Sequence, residues 1–328
     1  MSLDTATLRR PATTGVFART VGTYGQEFII LAAIIVLFVA VGLIAPRFVS
    51  QTNLTSIFVG NAYIAVAAIG MSMVIISGHI DVSVGSLIGV LATIAGTLAV
   101  NGYPVWIAWT APILVGMVIT SLIGALVAYV KIPSIVVTLG MLSILKGGLI
   151  SLTGGAWITN LPPDFLIAQF RVFGVPSPVW FMLGLTILAA IFMRYTPFGR
   201  SIYAIGGNPE AARVAGIRVE RSTVAVFAIH GFFAGIAAIL FATQLQVIQS
   251  TVPPNLELTV ITASVVGGVS ILGGTGTVVG STLAAILFAA IGSSLIFLNV
   301  SAYWLRSVQG LLILATVLAD MARRRGIK

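Results

Sequence analysis

The sequence predicts an all-α integral membrane protein with about ten transmembrane helices in one domain, residues 1–328. Three observations support this fold class. Hydrophobic residues make up 58% of the chain and charged residues only 8%, whereas a soluble protein carries about a quarter charged residues. Long charge-free runs, such as 48–80 and 82–130, exceed the ~20 residues that cross a hydrocarbon core. Gly, Pro and Asn interrupt these runs, which indicates where the chain turns back.

The turn signals divide the apolar runs into ten spans. The first is longer than the core of a cleaved signal peptide, so it is interpreted as a retained helix. The seventh and eighth have uncertain ends, and the eighth is short enough that it need not cross fully. The predicted spans are 28–45, 55–77, 83–100, 105–130, 134–152, 176–193, 222–246, 258–273, 276–298 and 302–319.

The basic residues predict the orientation, because cytoplasmic loops are enriched in Lys and Arg. A cytoplasmic N-terminus places 13 of the 17 basic residues on the inner side. These are Arg9, Arg10, Arg19, Lys131, Arg194, Arg200, Arg213, Arg218, Arg221, Arg323, Arg324, Arg325 and Lys328. Only Arg47 and Arg171 fall outside, so both termini are predicted to be cytoplasmic. This sorting accounts for the net charge of +9 without a nucleic-acid partner.

One polar segment, residues 194–221, interrupts the apolar sequence on the cytoplasmic side. Asn208-Pro209 is a helix-start signal, and Glu210 in the first turn favours the positive end of the helix dipole. Gly216 is suited to end the helix in a left-handed conformation. A short helix with a face of small residues can lie in a groove of a partner protein. The alternative is an ordinary solvated helix in a loop.

A weak internal repeat is also present. Residues 76–78 and 84–86 (Ile-Ser-Gly and Val-Gly-Ser) recur as 271–273 and 279–281 (Ile-Leu-Gly and Val-Gly-Ser). Both copies are predicted at an inward-facing break between spans, so the repeats are parallel, as in many transporters. The alternative is chance recurrence in a chain with 35 glycines.

Three blocks resemble the permease subunits of bacterial ABC importers for monosaccharides, the ribose, xylose and rhamnose type. Residues 77–86 resemble the family's Gly-Gly-Ile-Asp-Leu-Ser-Val-Gly-Ser, and residues 199–212 resemble its Gly-Arg-x-x-Tyr-Ala-Ile-Gly-Gly-Asn block. Residues 257–280 resemble its glycine-rich block. The chain departs from the pattern at His79 and at Thr259-Val260, which limits what the resemblance says about the sugar.

The resemblance implies a permease of the bacterial cytoplasmic membrane with several partners. These are an ABC ATPase that binds ATP and Mg, a second permease subunit, identical or related, and an extracytoplasmic sugar-binding protein, besides membrane lipid. No cofactor is expected on this chain. The segment 194–221 would receive the ATPase. Its candidate residues are Gly199, Arg200, Asn208, Pro209, Glu210, Ala211, Ala212, Arg213 and Gly216.

The first motif defines a candidate turn formed by Gly78, Asp81, Ser83 and Gly85. Asp81 is the one charged residue between Arg47 and Lys131. A carboxylate inside a membrane is expected to serve an ion or proton pathway. The predicted topology instead puts Asp81 at the cytoplasmic turn, where Asp81 and Ser83 would cap the following helix.

Four polar residues are candidates for the transport pathway: Asn61, Lys146, Gln244 and Glu257. Lys146 either lines the pathway, pairs with Glu257, which is predicted near the outer surface, or extends its amine to the interface. The amides of Asn61 and Gln244 either bind sugar hydroxyls or hold helices together.

Other classes of function lack their signals. The chain has no Cys, two distant His residues and no Walker motif, so neither a metal centre nor an enzyme is expected. An ion-driven carrier should show carboxylates in the middle of the membrane, and none is predicted there. A non-transporting scaffold would need neither the repeat nor the polar helix. Branched-chain amino acids or a sugar-like signalling molecule remain alternative cargoes.

Overall fold

The computed structural model describes residues 16–167, 170–244, 247–250, 255–301 and 303–325. Within these ranges the chain is mainly helical, which confirms the predicted fold class. The membrane helices are α1 (Val16–Ile44), α2 (Gln51–Ile76), α3 (Val84–Val100), α4 (Val105–Ala128), α5 (Ser134–Thr153), α6 (Ser177–Tyr195), α9 (Val219–Gln244), α10 (Leu256–Val266), α11 (Val278–Phe297) and α12 (Trp304–Arg325). Two short helices, α7 (Pro197–Gly207) and α8 (Pro209–Val214), connect α6 to α9.

The ten membrane helices correspond one to one with the predicted spans. In the described part of the chain, seven of them are long and apolar enough to cross a membrane; α3, α10 and the apolar part of α12 are shorter. With 11 residues, α10 extends only ~16 Å, so the eighth span does not cross as a helix. The polar segment 194–221 begins within the last turn of α6 and ends within α9.

Helix α2 lies at the centre of the bundle. Of the 18 most apolar consecutive residues of α2, 78% are buried. The corresponding share is 61% for α9 and 11% for both α1 and α5. The inner half of α2 is rich in Ala, Gly and Ser (residues 62–72), and small side chains let neighbouring helices approach closely in a membrane. The apolar faces of α1 and α5 are left to lipid or to another subunit.

Short strands connect the loops at the outer end. Strand β1 (Trp157–Ile158) pairs with β4 (Ile248–Gln249) in antiparallel register, Trp157 opposite Gln249. Strands β2 (Arg171–Val172) and β3 (Val175–Pro176) form a separate hairpin. Single 3₁₀ turns lie at Pro46–Val49 and Pro163–Phe165. The turn at 46–49 connects α1 to α2, whereas the strands and the turn at 163–165 lie in the loops between α5 and α6 and between α9 and α10.

The orientation predicts a labelling pattern. Single cysteines at positions 164 and 210 would be the only thiols, because the chain has none, and both positions are exposed. Asp164→Cys should react with an impermeant maleimide in intact spheroplasts, whereas Glu210→Cys should react only after the membrane is opened. The opposite pattern would show that the N-terminus is outside.

Candidate functional site

The two copies of the internal repeat meet at the inner end of the bundle. Gly78 follows α2 with a φ of +89°, and Gly273, between α10 and α11, has a φ of +79°. The N–H of Gly274 donates to the carbonyl oxygen of Ile76 at 2.8 Å. The segments 77–83 and 267–277 are called here the two breaks. The second break is hydrogen-bonded to the last residue of α2, and a Cβ on Gly273 would lie 3.0 Å from the Cα of Gly78 in the first break.

Helix α7 packs directly on both breaks. A Cβ on Gly206 would overlap the carbonyl oxygen of Ile76 and lie 2.7 Å from the nitrogen of Gly274. The hydroxyl of Tyr203 donates to the carbonyl of Gly276 at 2.9 Å. The contact at Gly206 is backbone against backbone, so a shift of α7 would displace the backbone of the segments that it touches.

Sequence reasoning did not identify Gly206 as a site residue. A signal was present, because Gly206-Gly207 lies inside a helix, where each Gly costs about 1 kcal/mol relative to Ala. Such a cost usually indicates close packing or function. The contact partners, however, are 130 and 68 residues away along the chain (206 − 76 and 274 − 206), and the sequence does not identify them.

Gly199 and Arg200 form the corner between α6 and α7. The Thr196 hydroxyl accepts a hydrogen bond from the Gly199 N–H at 2.9 Å, and Gly199 is buried against the last turn of α6. Arg200 Nη1 donates to the carbonyl of Tyr195 at 3.1 Å. Their role in ATPase contact stays a prediction; the contacts that they make within the chain fix the angle between α6 and α7.

The end signals of α8 are confirmed. The Asn208 side chain accepts from the N–H groups of Glu210 and Ala211, both at 3.0 Å, and Pro209 occupies the first helical position. At the other end Gly216 has a φ of +84°. Its N–H bonds to Arg213 and that of Ile217 to Ala212, which is the pattern of a Schellman motif.

The exposed face of α8 differs from the prediction. Ala212 is only 3% exposed, and Gly216 lies beyond the last helical residue, so they do not form one open face for a partner. Ala212 packs inward because it belongs to the side of α8 that rests on its own chain. Val214 projects outward instead, with 91% of its surface exposed. Val214, not Ala212, is therefore the apolar side chain that α8 exposes to solvent.

Arg213 ties α8 to α9. Its Nη1 lies 2.7 Å from Glu210 Oε1 and its Nη2 lies 2.7 Å from Glu220 Oε1. The hydrogen bonds to Glu210 and then Glu220 raise the pKa of Arg213. Because Glu220 is in the first turn of α9, the two contacts of Arg213 join α8 to that helix.

Asp81 lies deeper than predicted. Its Oδ2 is 3.3 Å from His230 Nε2, and both side chains are fully buried. His230 packs against Gly70, which precedes the end of α2 by six residues, ~9 Å. Asp81 Oδ1 accepts from the N–H and hydroxyl of Ser83, so the Ser83 side chain does not cap α3. The predicted capping role is wrong for Ser83, since segment 77–83 re-enters the bundle.

Glu257 is also placed differently. A Cβ on Gly85 would lie 3.0 Å from the Glu257 nitrogen and clash with its carboxylate. Gly85 is 15 residues before Val100 at the outer end of α3, a distance of ~22 Å. The expectation of a position near the outer surface is therefore wrong. The Glu257 carboxylate instead lies at the N-terminal turn of α3, where the helix dipole favours negative charge.

Among the other pathway candidates, Gln244 lies close to Asn61, whereas Lys146 lies apart from Glu257. The Gln244 amide lies beside Gly60, the neighbour of Asn61, whose amide donates to Ile57 in its own helix at 3.0 Å. Lys146 is exposed and forms no ion pair with Glu257. It lies eight residues beyond Thr138, whose hydroxyl bonds Ile80, and so ~12 Å further outward.

Asp81 and Glu257 lie closer to the interior of the bundle than predicted. The expectation that no carboxylate lies in the middle of the membrane stays a prediction. Within the described ranges no cluster of three or more His, Cys, Asp or Glu residues could hold a metal ion.

The architecture defines the membrane subunit of a transporter: crossing helices, two broken segments and a cytoplasmic helix pair that contacts the breaks. The chain belongs to the family described as the permease component of the branched-chain amino acid transport system, whose model matches residues 53–317. No solved structure matches the chain.

Relatives support the same class. The autoinducer 2 import system permease protein LsrC of Salmonella typhi is 38% identical over 296 residues, covering 90% of this chain and 85% of that protein. LsrC of Escherichia coli O9:H4 (strain HS) is 36% identical over 296 residues, covering 90% of this chain and 86% of that protein. The resemblance to sugar-type ABC permeases is thereby confirmed. The chain is a transport subunit of the bacterial cytoplasmic membrane, not an enzyme.

Proposed function

We propose that this permease carries a small sugar-like molecule inward, either a monosaccharide or a signalling molecule of the autoinducer 2 type. The ATPase chain binds ATP and Mg, and this chain binds neither. The permeases named above as relatives serve import of autoinducer 2, and the sequence blocks resemble sugar permeases. Both favour a small polyhydroxylated cargo over a branched-chain amino acid.

The contact of α7 with both breaks supports the coupling mechanism. When the ATPase closes on α8, the displacement reaches α9 through Arg213 and Glu220, 2.7 Å apart. It also reaches the breaks through Gly206 and Tyr203. Helix α9 carries His230, which faces Asp81 in the first break. Both routes therefore converge on segment 77–83, and a small motion outside the membrane changes the inner end of the pathway.

The remaining partners are assigned from exposed surfaces. A second permease subunit, identical or related, would cover part of the apolar surface of α1 and α5. In each of these helices only 11% of the most apolar stretch is buried. The extracytoplasmic binding protein would dock on the loops that contain Asp164 and Arg171, which are exposed. Asn61, Gln244, Lys146 and Glu257 are the polar side chains that we assign to the pathway between these two ends.

The test is uptake by cells expressing the permease with its ATPase and binding protein. Labelled autoinducer 2, ribose and leucine are offered separately. Uptake of autoinducer 2 or ribose should disappear when the Walker lysine of the ATPase is replaced by alanine. Uptake of leucine alone would identify an amino acid permease. Uptake that survives the ATPase variant but stops with an ionophore would identify an ion-driven carrier.

A further inference from the structure

A cavity of about 400 Å³ opens at the cytoplasmic end of α4, beside the junction of α8 and α9. Tyr129, just after α4, forms one wall, and Arg213, Arg218, Glu220 and Arg221 supply the charged lining. The pathway and the proposed coupling mechanism do not use Arg218, Arg221 or Tyr129. The cavity thus shares Arg213 and Glu220 with the coupling mechanism, whereas its other charged and aromatic residues have no role assigned so far.

The charge of this cavity is positive. Three arginines and one glutamate give the lining a net charge of +2. Arg213 is already engaged by Glu210 and Glu220. Arg218 and Arg221 are exposed and form no ion pair with any described residue. Two guanidinium groups are thus free to bind an anion.

An apolar strip leads from the cavity along α4. Leu114, Val118, Leu122 and Leu126 follow one another at intervals of four residues and are between 41% and 62% exposed. From Leu114 to Leu126 the strip measures ~18 Å, close to the ~15 Å of hydrocarbon in one leaflet. Tyr129 is exposed at the cytoplasmic end of the strip. Aromatic side chains are common at this depth, where the membrane helices meet the lipid headgroups.

We propose that this cavity binds the headgroup of an anionic phospholipid of the inner leaflet, whose acyl chains lie along the α4 strip. The two free arginines match the phosphate in charge and in bidentate geometry. Basic pockets between membrane helices on the cytoplasmic side are suited to such headgroups. A soluble partner would account for the arginines but not for a strip one leaflet long that ends at them.

The test uses the full-length permease purified with its ATPase in a non-ionic detergent. Dioleoylphosphatidylglycerol or dioleoylphosphatidylcholine is added, and bound lipid is counted by native mass spectrometry. The first phosphatidylglycerol should bind the unmodified protein at least tenfold more tightly than phosphatidylcholine. Arg218→Gln/Arg221→Gln should lose roughly tenfold or more of that affinity. Arg218→Lys/Arg221→Lys should keep most of it.

The matched control removes two arginines elsewhere on the cytoplasmic side, Arg323→Gln/Arg324→Gln, and should keep the preference. The single variants Arg218→Gln and Arg221→Gln should each show a partial loss. Equal affinities for the two lipids, or equal binding by the glutamine double variant, would overturn the site. Displacement of the lipid by an equal concentration of glycerol phosphate would show a soluble-phosphate site instead. If Arg218→Gln/Arg221→Gln bound lipid normally but lost the ATPase, both arginines would be assigned to the ATPase contact.

Discussion

Replacing Val214 with aspartate is expected to release the ATPase and abolish uptake while leaving the permease folded. Val214 is 91% exposed at the C-terminal end of α8, so its loss removes nothing from the permease core. Burial of a valine in a partner contributes about 1.5–3 kcal/mol, and an unpaired carboxylate in its place costs several kcal/mol more. Attachment of the ATPase should weaken more than 100-fold. Co-purification of the ATPase and substrate uptake are the two measurements.

The matched control for Val214→Asp is Phe173→Asp on the outer side, where the side chain is 93% exposed. This variant makes the same change from apolar to acidic and should retain the ATPase in full. Ala212→Trp is a further reference, because Ala212 is buried and a large side chain there should lower the membrane level of the permease itself. Normal uptake and normal co-purification by Val214→Asp would show that α8 is not the ATPase contact.

Gly206→Ala is expected to reduce uptake at least tenfold, with a lower melting temperature or a lower membrane level. Its methyl group would enter the space between Ile76 and Gly274, whose hydrogen bond joins the end of α2 to the second break. Overpacking costs about 1–3 kcal/mol, and loss of a buried hydrogen bond costs about 1–3 kcal/mol more. Both neighbours are backbone atoms, so a change of rotamer cannot relieve the clash.

The adjacent Gly207→Ala is the control for this prediction. A Cβ at Gly207 would meet nothing within 4 Å, and alanine is the better helix former by about 1 kcal/mol. Gly207→Ala should therefore match the unmodified protein in uptake and be at least as stable. If Gly206→Ala behaved in the same way, the close packing of α7 on the breaks would be incorrect.

The features that sequence reasoning predicted correctly depend on local physics. Apolar length and turn residues place the ten helices, because each helix satisfies its own backbone hydrogen bonds in lipid. The ends of α8 follow from Asn208, Pro209 and Gly216, whose effects act over two to five residues. The orientation, which rests on the distribution of basic residues, stays a prediction.

The errors at Asp81 and Glu257 have a common origin. From the sequence alone, the depth of a residue is inferred from its position within a predicted span. Every span is then treated as a full helix, and every break is placed at the membrane surface. An extended segment advances ~3.3 Å per residue, more than twice the 1.5 Å of a helix. Segment 77–83 therefore carries Asp81 back into the bundle, and α10 begins next to the first turn of α3.

The sequence by itself determined the fold class, the position of the short helix α8 and the family. Only the tertiary structure decided that α7 lies on both breaks, that Asp81 faces His230, that Glu257 lies against Gly85, and that Val214 is open while Ala212 is buried. Each of these contacts joins residues at distant positions or depends on which side of a short helix faces its own chain. Hydrophobicity and end signals carry no information about such pairings, because they are set by the packing of one helix on another.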